Sequence, residues 1–303
     1  MRVFVTGATG FVGSAVTREL LSAGHAVLGL TRSDAGAAAL AAAGAEAHHG
    51  DLRDLESLRR GAAAADAVIH AGFVHDWANF AASCEIDRRA IEAMGAALAG
   101  SQRLMLVTSG LPTVAEGRLA TENDDPLPAS DAHPRASETT AEALARRGLR
   151  VSTVRLPQVH DTQKQGLVSY LIAVAREKGV SAYVGPGRNR WAAVHARDTA
   201  RLYRLALEKG EAGARYHAVG EEGVPLREIA EAIGRGMNLP VRSIAPDEAA
   251  AHFGFLGAFV ARDLTGSSAL TQQRMGWTPT GPGLLADLEQ MTFPTVEAGR
   301  VGA

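Results

Sequence analysis

A short apolar run, R-V-F-V-T (Arg2 to Thr6), leads directly into T-G-A-T-G-F-V-G (Thr6 to Gly13), with glycines at 7, 10 and 13. Val12, Val16, Leu20 and Leu21 follow at the spacing of one helix face. A strand turning into a helix through three glycines severely restricts the folds open to the chain. The glycines permit a tight turn and close backbone approach, and the helix N-terminus then faces an anion such as a pyrophosphate. Gly7, Thr9, Gly10, Phe11, Val12 and Gly13 are the expected cradle of a dinucleotide.

The pattern beyond the loop repeats strand and helix. Strands are expected at 26–30, 45–49, 67–70, 103–108 and 150–156, with helices at 35–43, 54–60, 84–99 and from Pro134 onward. Such alternation argues for a parallel, doubly wound α/β sheet. The rhythm changes after residue 157: helices at 166–178, 197–207 and 226–234 are mixed with extended segments at 181–187 and 215–219. This predicts a dinucleotide-binding domain over 1–157 and a smaller mixed substrate lobe over 158–303, with about 191–219 returning to the sheet. Residues after Phe293 resemble a loose tail.

Composition narrows the partners. The 31 basic and 33 acidic residues give a net charge of -2, which offers no field for nucleic acid and no polybasic membrane patch. No uncharged stretch is long enough to span a bilayer, and no basic-plus-apolar leader precedes the first strand. The one cysteine, Cys84, fits a reducing, cytoplasmic setting. A small-molecule substrate is the expected partner, and a homodimer is compatible with such a chain. His48 and His49 are adjacent on a strand end and face opposite ways, so no metal site is expected.

The spacing G-x-x-G-x-x-G resembles the short-chain dehydrogenase/reductase superfamily, and the length resembles its extended branch of epimerases, dehydratases and reductases. Further marks are G-D-L (Gly50 to Leu52), H-A-G (His70 to Gly72), V-T-S (Val107 to Ser109), R-L-P (Arg155 to Pro157) and V-H-x-x-D (Val194 to Asp198). The resemblance implies a Rossmann-type sheet and cofactor contacts from Asp51, Leu52, Ala71 and Gly72. It also implies that Leu156 and Pro157 line the nicotinamide. An NAD enzyme usually carries an acidic residue at the end of the second strand. Here that place reads L-G-L-T-R-S, and Thr31, Arg32 and Ser33 offer a cation and two hydroxyls suited to a 2′-phosphate. NADPH is therefore expected in preference to NADH.

In the family a serine or threonine, a tyrosine and a lysine four residues later do the chemistry. Ser109 matches the first, but the other two places hold His133 and Ser137, and no tyrosine or lysine precedes residue 164. Three repairs stay open. His133 can donate as a neutral imidazole at a helix N-terminus. A donor can come from His75, Asp76 or Trp77 in the loop after the fourth strand, or from Tyr183 in the second lobe. Or there is no side-chain acid at all. His75, Trp77, His160, Tyr183, Asn189 and Trp191 are expected to meet the substrate, whose character they suggest is uncharged or weakly polar, with a ring. The expected activity is NADPH-dependent reduction of a C=O or C=N bond. The alternatives are a non-enzymatic NADP(H)-sensing regulator and an epimerase or dehydratase with tightly held nicotinamide.

Overall fold

The computed structural model describes residues 1–111 and 117–293. The first half alternates β1 (Arg2–Thr6), α1 (Phe11–Ser22), β2 (Ala26–Thr31), α2 (Asp34–Ala42), β3 (Glu46–His49), α3 (Leu55–Ala63), β4 (Ala67–His70), α4 (Phe80–Leu98), β5 (Met105–Gly110), α5 (Ser137–Arg146) and β6 (Val151–Leu156). The second half contains β7 (Gln158–His160), α6 (Val168–Lys178), β8 (Ser181–Val184), β9 (Arg190–His195), α7 (Ala196–Lys209), β10 (Arg215–His217) and β11 (Glu221–Pro225). It ends with α8 (Leu226–Met237), β12 (Val241–Ile244), α9 (Ala249–Phe253), α10 (Ala269–Met275) and α11 (Leu284–Gln290).

Seven strands form one parallel sheet in the order β10-β6-β5-β4-β1-β2-β3. The central strands are apolar through their middles, where helices cover both faces, with polar residues gathered at their C-terminal ends (Thr6, His70, Ser109). Val3, Phe4 and Val5 have no exposed surface. On one face, Val3 and Val5 join residues of α1 and α7 in a core that includes Val16, Leu20, Tyr203 and Trp277. On the other, Phe4 and Val68 pack with Leu58, Ile91, Met94 and Leu144 of α3, α4 and α5. From the second half of the chain, α7 covers one face of this sheet and β10 extends it beside β6. A smaller mixed lobe carries β11-β9-β7, the pair β12-β8 and its own core around Trp191, Ile229 and Leu288.

Several boundaries differ from the sequence reading. The fifth strand starts at Met105 rather than Arg103, because the Arg103 guanidinium donates to the carbonyls of Ala62, Ala65 and Ala97 at the ends of α3 and α4. The helix expected from Pro134 begins at Ser137. Before it the chain turns through paired backbone bonds between Ser130 and His133 (2.9 and 3.0 Å). The short strands β7, β9, β11 and β12 were hidden in segments that read as loop. The expected loose tail after Phe293 lies outside the described residues.

Candidate functional site

The glycine loop places backbone against backbone. Gly7 sits at φ +68°, and a Cβ there would lie 2.7 Å from both the Ala71 carbonyl oxygen and Gly72 Cα. Any side chain would push β1 and the turn after β4 apart. At Gly13 a Cβ would run into the Gly7 carbonyl, so the first turn of α1 can lie against the loop only with glycine there. That helix has no side-chain cap at Gly10 and no acidic residue in its first turn. Its positive end is left uncompensated by the protein, as an anion cradle requires. Leu52 borders Gly72, so Gly7, Gly10, Gly13, Leu52, Ala71 and Gly72 surround one cleft, with the partly buried Phe11 and Val12 at its helix end. Thr9 lies exposed on the same turn.

Beside Leu52, Arg32 and Arg53 converge on the Asp51 carboxylate, at 3.8 and 3.6 Å. Both guanidiniums are more than half exposed, so the contacts with Asp51 are loose and solvated. Ser33 caps α2, accepting from the Gly36 N–H at 3.1 Å, and the buried Thr31 hydroxyl donates to the Ser33 carbonyl. The two hydroxyls expected to meet a phosphate thus also build the turn that presents Arg32.

The first turn of α5 has a different use from the expected one. Ser137 is buried and donates to Asp87 Oδ2 at 2.6 Å. Asp87 Oδ1 meets His70 Nε2 at 3.0 Å, and His70 Nδ1 meets Thr6 Oγ1 at 2.7 Å. Thr6 Oγ1 also accepts the Gly72 N–H at 3.1 Å. The polarity runs one way: Thr6 donates to Nδ1, Nε2–H donates to Asp87, and Asp87 accepts from both sides. This chain ties the glycine loop to α4 and α5. The next residue, Glu138, is paired with the fully buried Arg155 at 2.6 Å. Arg155 in turn donates to the carbonyl of Asp124 and to His217 Nε2, whose Nδ1–H donates to the Ser267 carbonyl. Burial first, and then the Arg155 charge, hold the His217 imidazole well below its usual pKa.

His133 lies exposed on the turn before α5, four residues ahead of the first helical residue. The helix-end environment expected for it belongs instead to Ser137. Ser109 is buried near the end of β5, in register with Arg155, while Leu156 opposite Gly110 is half-buried. Pro157, beside it, is half-buried too.

The loop after β4 forms an aromatic wall. Trp77 is stacked between Phe80 (5.3 Å) and Phe255 (4.4 Å), with Tyr170 of α6 edge-on at 5.9 Å. His75 packs on Phe73 at 5.2 Å and on Trp77 at 5.9 Å. Two cations join this wall: the Arg135 guanidinium lies 4.3 Å over the Phe73 ring, and Lys164 Nζ is 5.9 Å from the Phe11 ring of the glycine loop. His75 is open to solvent, with its ring packed on one side against these neighbours. That partial burial, then Arg135 and Lys164, lower its pKa below the usual histidine value. Sequence reasoning missed Arg135, Lys164, Tyr170 and Phe255. From the second lobe the sequence offered Tyr183 as a phenol, whereas it is the chain after β7 that brings Lys164 and Tyr170 beside the glycine loop and the His75 loop. Arg135, two residues past His133, was the one signal available.

The remaining expected substrate residues lie within the second lobe. Trp191 is buried in its core, and Asn189 donates to the carbonyls of Val260 and Arg262 at 3.0 and 2.9 Å. His160 is buried against Asp287 at 2.7 Å and lines a cavity of about 220 Å³ with His195 and Glu221. Tyr183 carries Arg227 over its ring at 5.7 Å. None of the contacts these four make reaches the glycine loop or the His75 loop among the described residues. Asp198 of the V-H-x-x-D stretch accepts from the backbone N–H groups of Thr280 and Gly281. Among the described residues no group of three His, Cys, Asp or Glu side chains is placed to hold a metal, and no helix is long and apolar enough to cross a membrane.

The chain is 48% identical over 290 residues to an uncharacterised protein of Schizosaccharomyces pombe, covering 95% of this chain and 98% of that one. It is 28% identical over 239 residues, 75% of this chain and 70% of the other, to a 4-hydroxy-2-methyl-3-oxo-4-farnesyl-3,4-dihydroquinoline-1-oxide ketoreductase of Stigmatella aurantiaca. Its fold matches the crystal structure of a dTDP-glucose 4,6-dehydratase from Streptomyces venezuelae with a TM-score of 0.76 at 23% identity, covering 96% of both chains. Residues 3–219, which include the glycine loop, the His70–Asp87–Ser137 chain and the His75 loop, match the model of one family. The chain belongs to the NAD dependent epimerase/dehydratase family.

Proposed function

We propose that the protein is an NADPH-dependent oxidoreductase that reduces a C=O or C=N bond of a small organic substrate. Bound reduced nicotinamide supplies the hydride. The observation that carries the reading is the composition of the cleft's two ends. Arg32 and Arg53 stand loosely held at the ribose end, where a 2′-phosphate would meet them. At the other end His75, Lys164 and Tyr170 supply an imidazole, an ammonium and a phenol. Gly7, Gly10, Phe11, Val12 and Gly13 hold the pyrophosphate with backbone N–H groups, while Asp51, Leu52, Ala71, Gly72, Leu156 and Pro157 line the groove.

His75 polarises the substrate oxygen. Its lowered pKa keeps the imidazole neutral at pH 7, and a neutral ring N–H donates a hydrogen bond to a carbonyl oxygen. The buried Ser109 hydroxyl, at the end of β5, orients that oxygen. The aromatic wall shields the reacting bond from water. The ketoreductase relative from Stigmatella, named for reducing a ketone on a dihydroquinoline, supports carbonyl chemistry. The test is oxidation of NADPH deuterated at C4 against a panel of aldehydes, ketones and imines. Deuterium on the product carbon supports the reading; a cofactor-saturated enzyme that turns over no member of the panel overturns it.

A further inference from the structure

Most arginines that touch the body of this protein have an acidic partner: Arg88, Arg118, Arg155, Arg190, Arg204, Arg215 and Arg227 all do. Arg135 does not. Its half-buried guanidinium lies over Phe73, and no carboxylate among the described residues pairs with it. Lys164, at the glycine-loop side of the same mouth, is likewise unpaired among the described residues. The acids nearby are already engaged: Asp161 accepts from the backbone N–H groups of Gln163 and Lys164. Asp76 accepts from Ala78, Asn79 and the Asn79 side chain, and Asp87 from His70 and Ser137. A third donor stands close by: Trp77 Nε1 is buried with no partner. A partly desolvated cation without a counter-charge is costly. The half-buried Arg135, with the exposed Lys164 at the same mouth and an unsatisfied indole N–H, walled by Phe73, Phe80, Tyr170 and Phe255, describes a place for an anion with an apolar body.

We propose that this mouth is a subsite for an organic carboxylate carrying a flat, ring-bearing body, with Arg135 and Lys164 binding the carboxylate and the rings around Trp77 forming the wall. The inference deepens the reductase reading and rests on it for the site's role in turnover. It replaces the uncharged substrate suggested by sequence, because the charges come from residues that reading did not place here. Arg135 presents a planar fork suited to a carboxylate, and its stacking on Phe73 fixes that plane. Lys164 supplies a second, more mobile charge.

The test is a calorimetric titration of the full chain, with and without NADPH, using 2-naphthoate and its neutral counterpart 2-naphthamide. The expected result is at least a tenfold preference for naphthoate, in line with charge-assisted hydrogen bonding. Arg135→Ala and Lys164→Ala each reduce the preference, the double variant abolishes it, and Arg135→Lys retains part of it. Equal affinity for the two probes, no binding of either, or a preference that survives in the double variant overturns the subsite. These outcomes are separable from failure of the reductase reading. If NADPH neither binds nor donates hydride, that reading falls, while the cofactor-free titration still scores the subsite.

Discussion

Asp87→Ala should destabilise the protein and loosen the cofactor cleft together. In the folded protein Asp87 accepts from His70 Nε2 at 3.0 Å and from Ser137 at 2.6 Å, with all three side chains almost fully buried. Removing the carboxylate leaves two buried donors without a partner, each costing about 1–3 kcal/mol. The small cavity left behind adds to this, for a total of ~3–5 kcal/mol. For a chain of this size that lowers the thermal midpoint by roughly 6–12 °C. Through His70 the same change releases the Thr6 side chain that holds the Gly72 N–H beside Gly7, so NADPH affinity should drop about tenfold. Asp87→Asn is the control. Its carbonyl oxygen can accept from His70, and its amide can donate to the Ser137 hydroxyl, which then accepts. Asparagine should therefore retain most of the stability. The assays are differential scanning calorimetry and titration by NADPH fluorescence. An Asp87→Ala protein with unchanged midpoint and unchanged affinity would refute the one-way polarity of the chain, as would Asn behaving like Ala.

Replacing Arg32 and Arg53 together by alanine should weaken NADPH binding by at least tenfold while changing NADH binding by less than threefold, measured by parallel titrations. His75→Ala should lower kcat for carbonyl reduction by about 10²- to 10⁴-fold, the usual worth of a positioned proton donor. His133→Ala, on its exposed turn, should stay within twofold in the same assay. Stability should fall on acidification because His217 resists protonation in the folded state. The unfolded ring takes up a proton near the usual 6.5 while the folded ring does so only at lower pH, so stability is present above 6.5 and is lost toward the lowered value. Urea midpoints from pH 7.5 down to 4.5 check this, and His217→Gln should flatten the contribution.

The parts of this molecule legible in its sequence share a physical property: their signal is local. Continuous apolar runs such as R-V-F-V-T declare strands buried on both faces, and a glycine triplet between strand and helix declares a turn that admits no Cβ. Gly7 and Gly13 could thus be placed on one turn from the sequence itself, whereas Ala71 and Gly72 were expected there only through the family resemblance; the structure packs both against Gly7. What failed was non-local. Lys164 and Tyr170 lie some ninety residues along the chain from His75, and only the return of the segment after β7 brings them beside it. The helix start at Pro134 was misplaced because proline suits a first helical turn and equally a loop. The Ser130–His133 turn and the Ser137–Asp87 bond decided for the loop. Trp191 and Asn189 looked like binding residues by type. Their neighbours in space, an apolar core and two backbone carbonyls, give them other work.

The central claim is that the uncapped start of α1 and the paired arginines beside Asp51 grip a phosphorylated dinucleotide. Equilibrium titration of the purified protein with NADPH and with NADH tests it most directly. One saturable site with NADPH bound at least tenfold more tightly is the expected result; no measurable binding of either dinucleotide would contradict it.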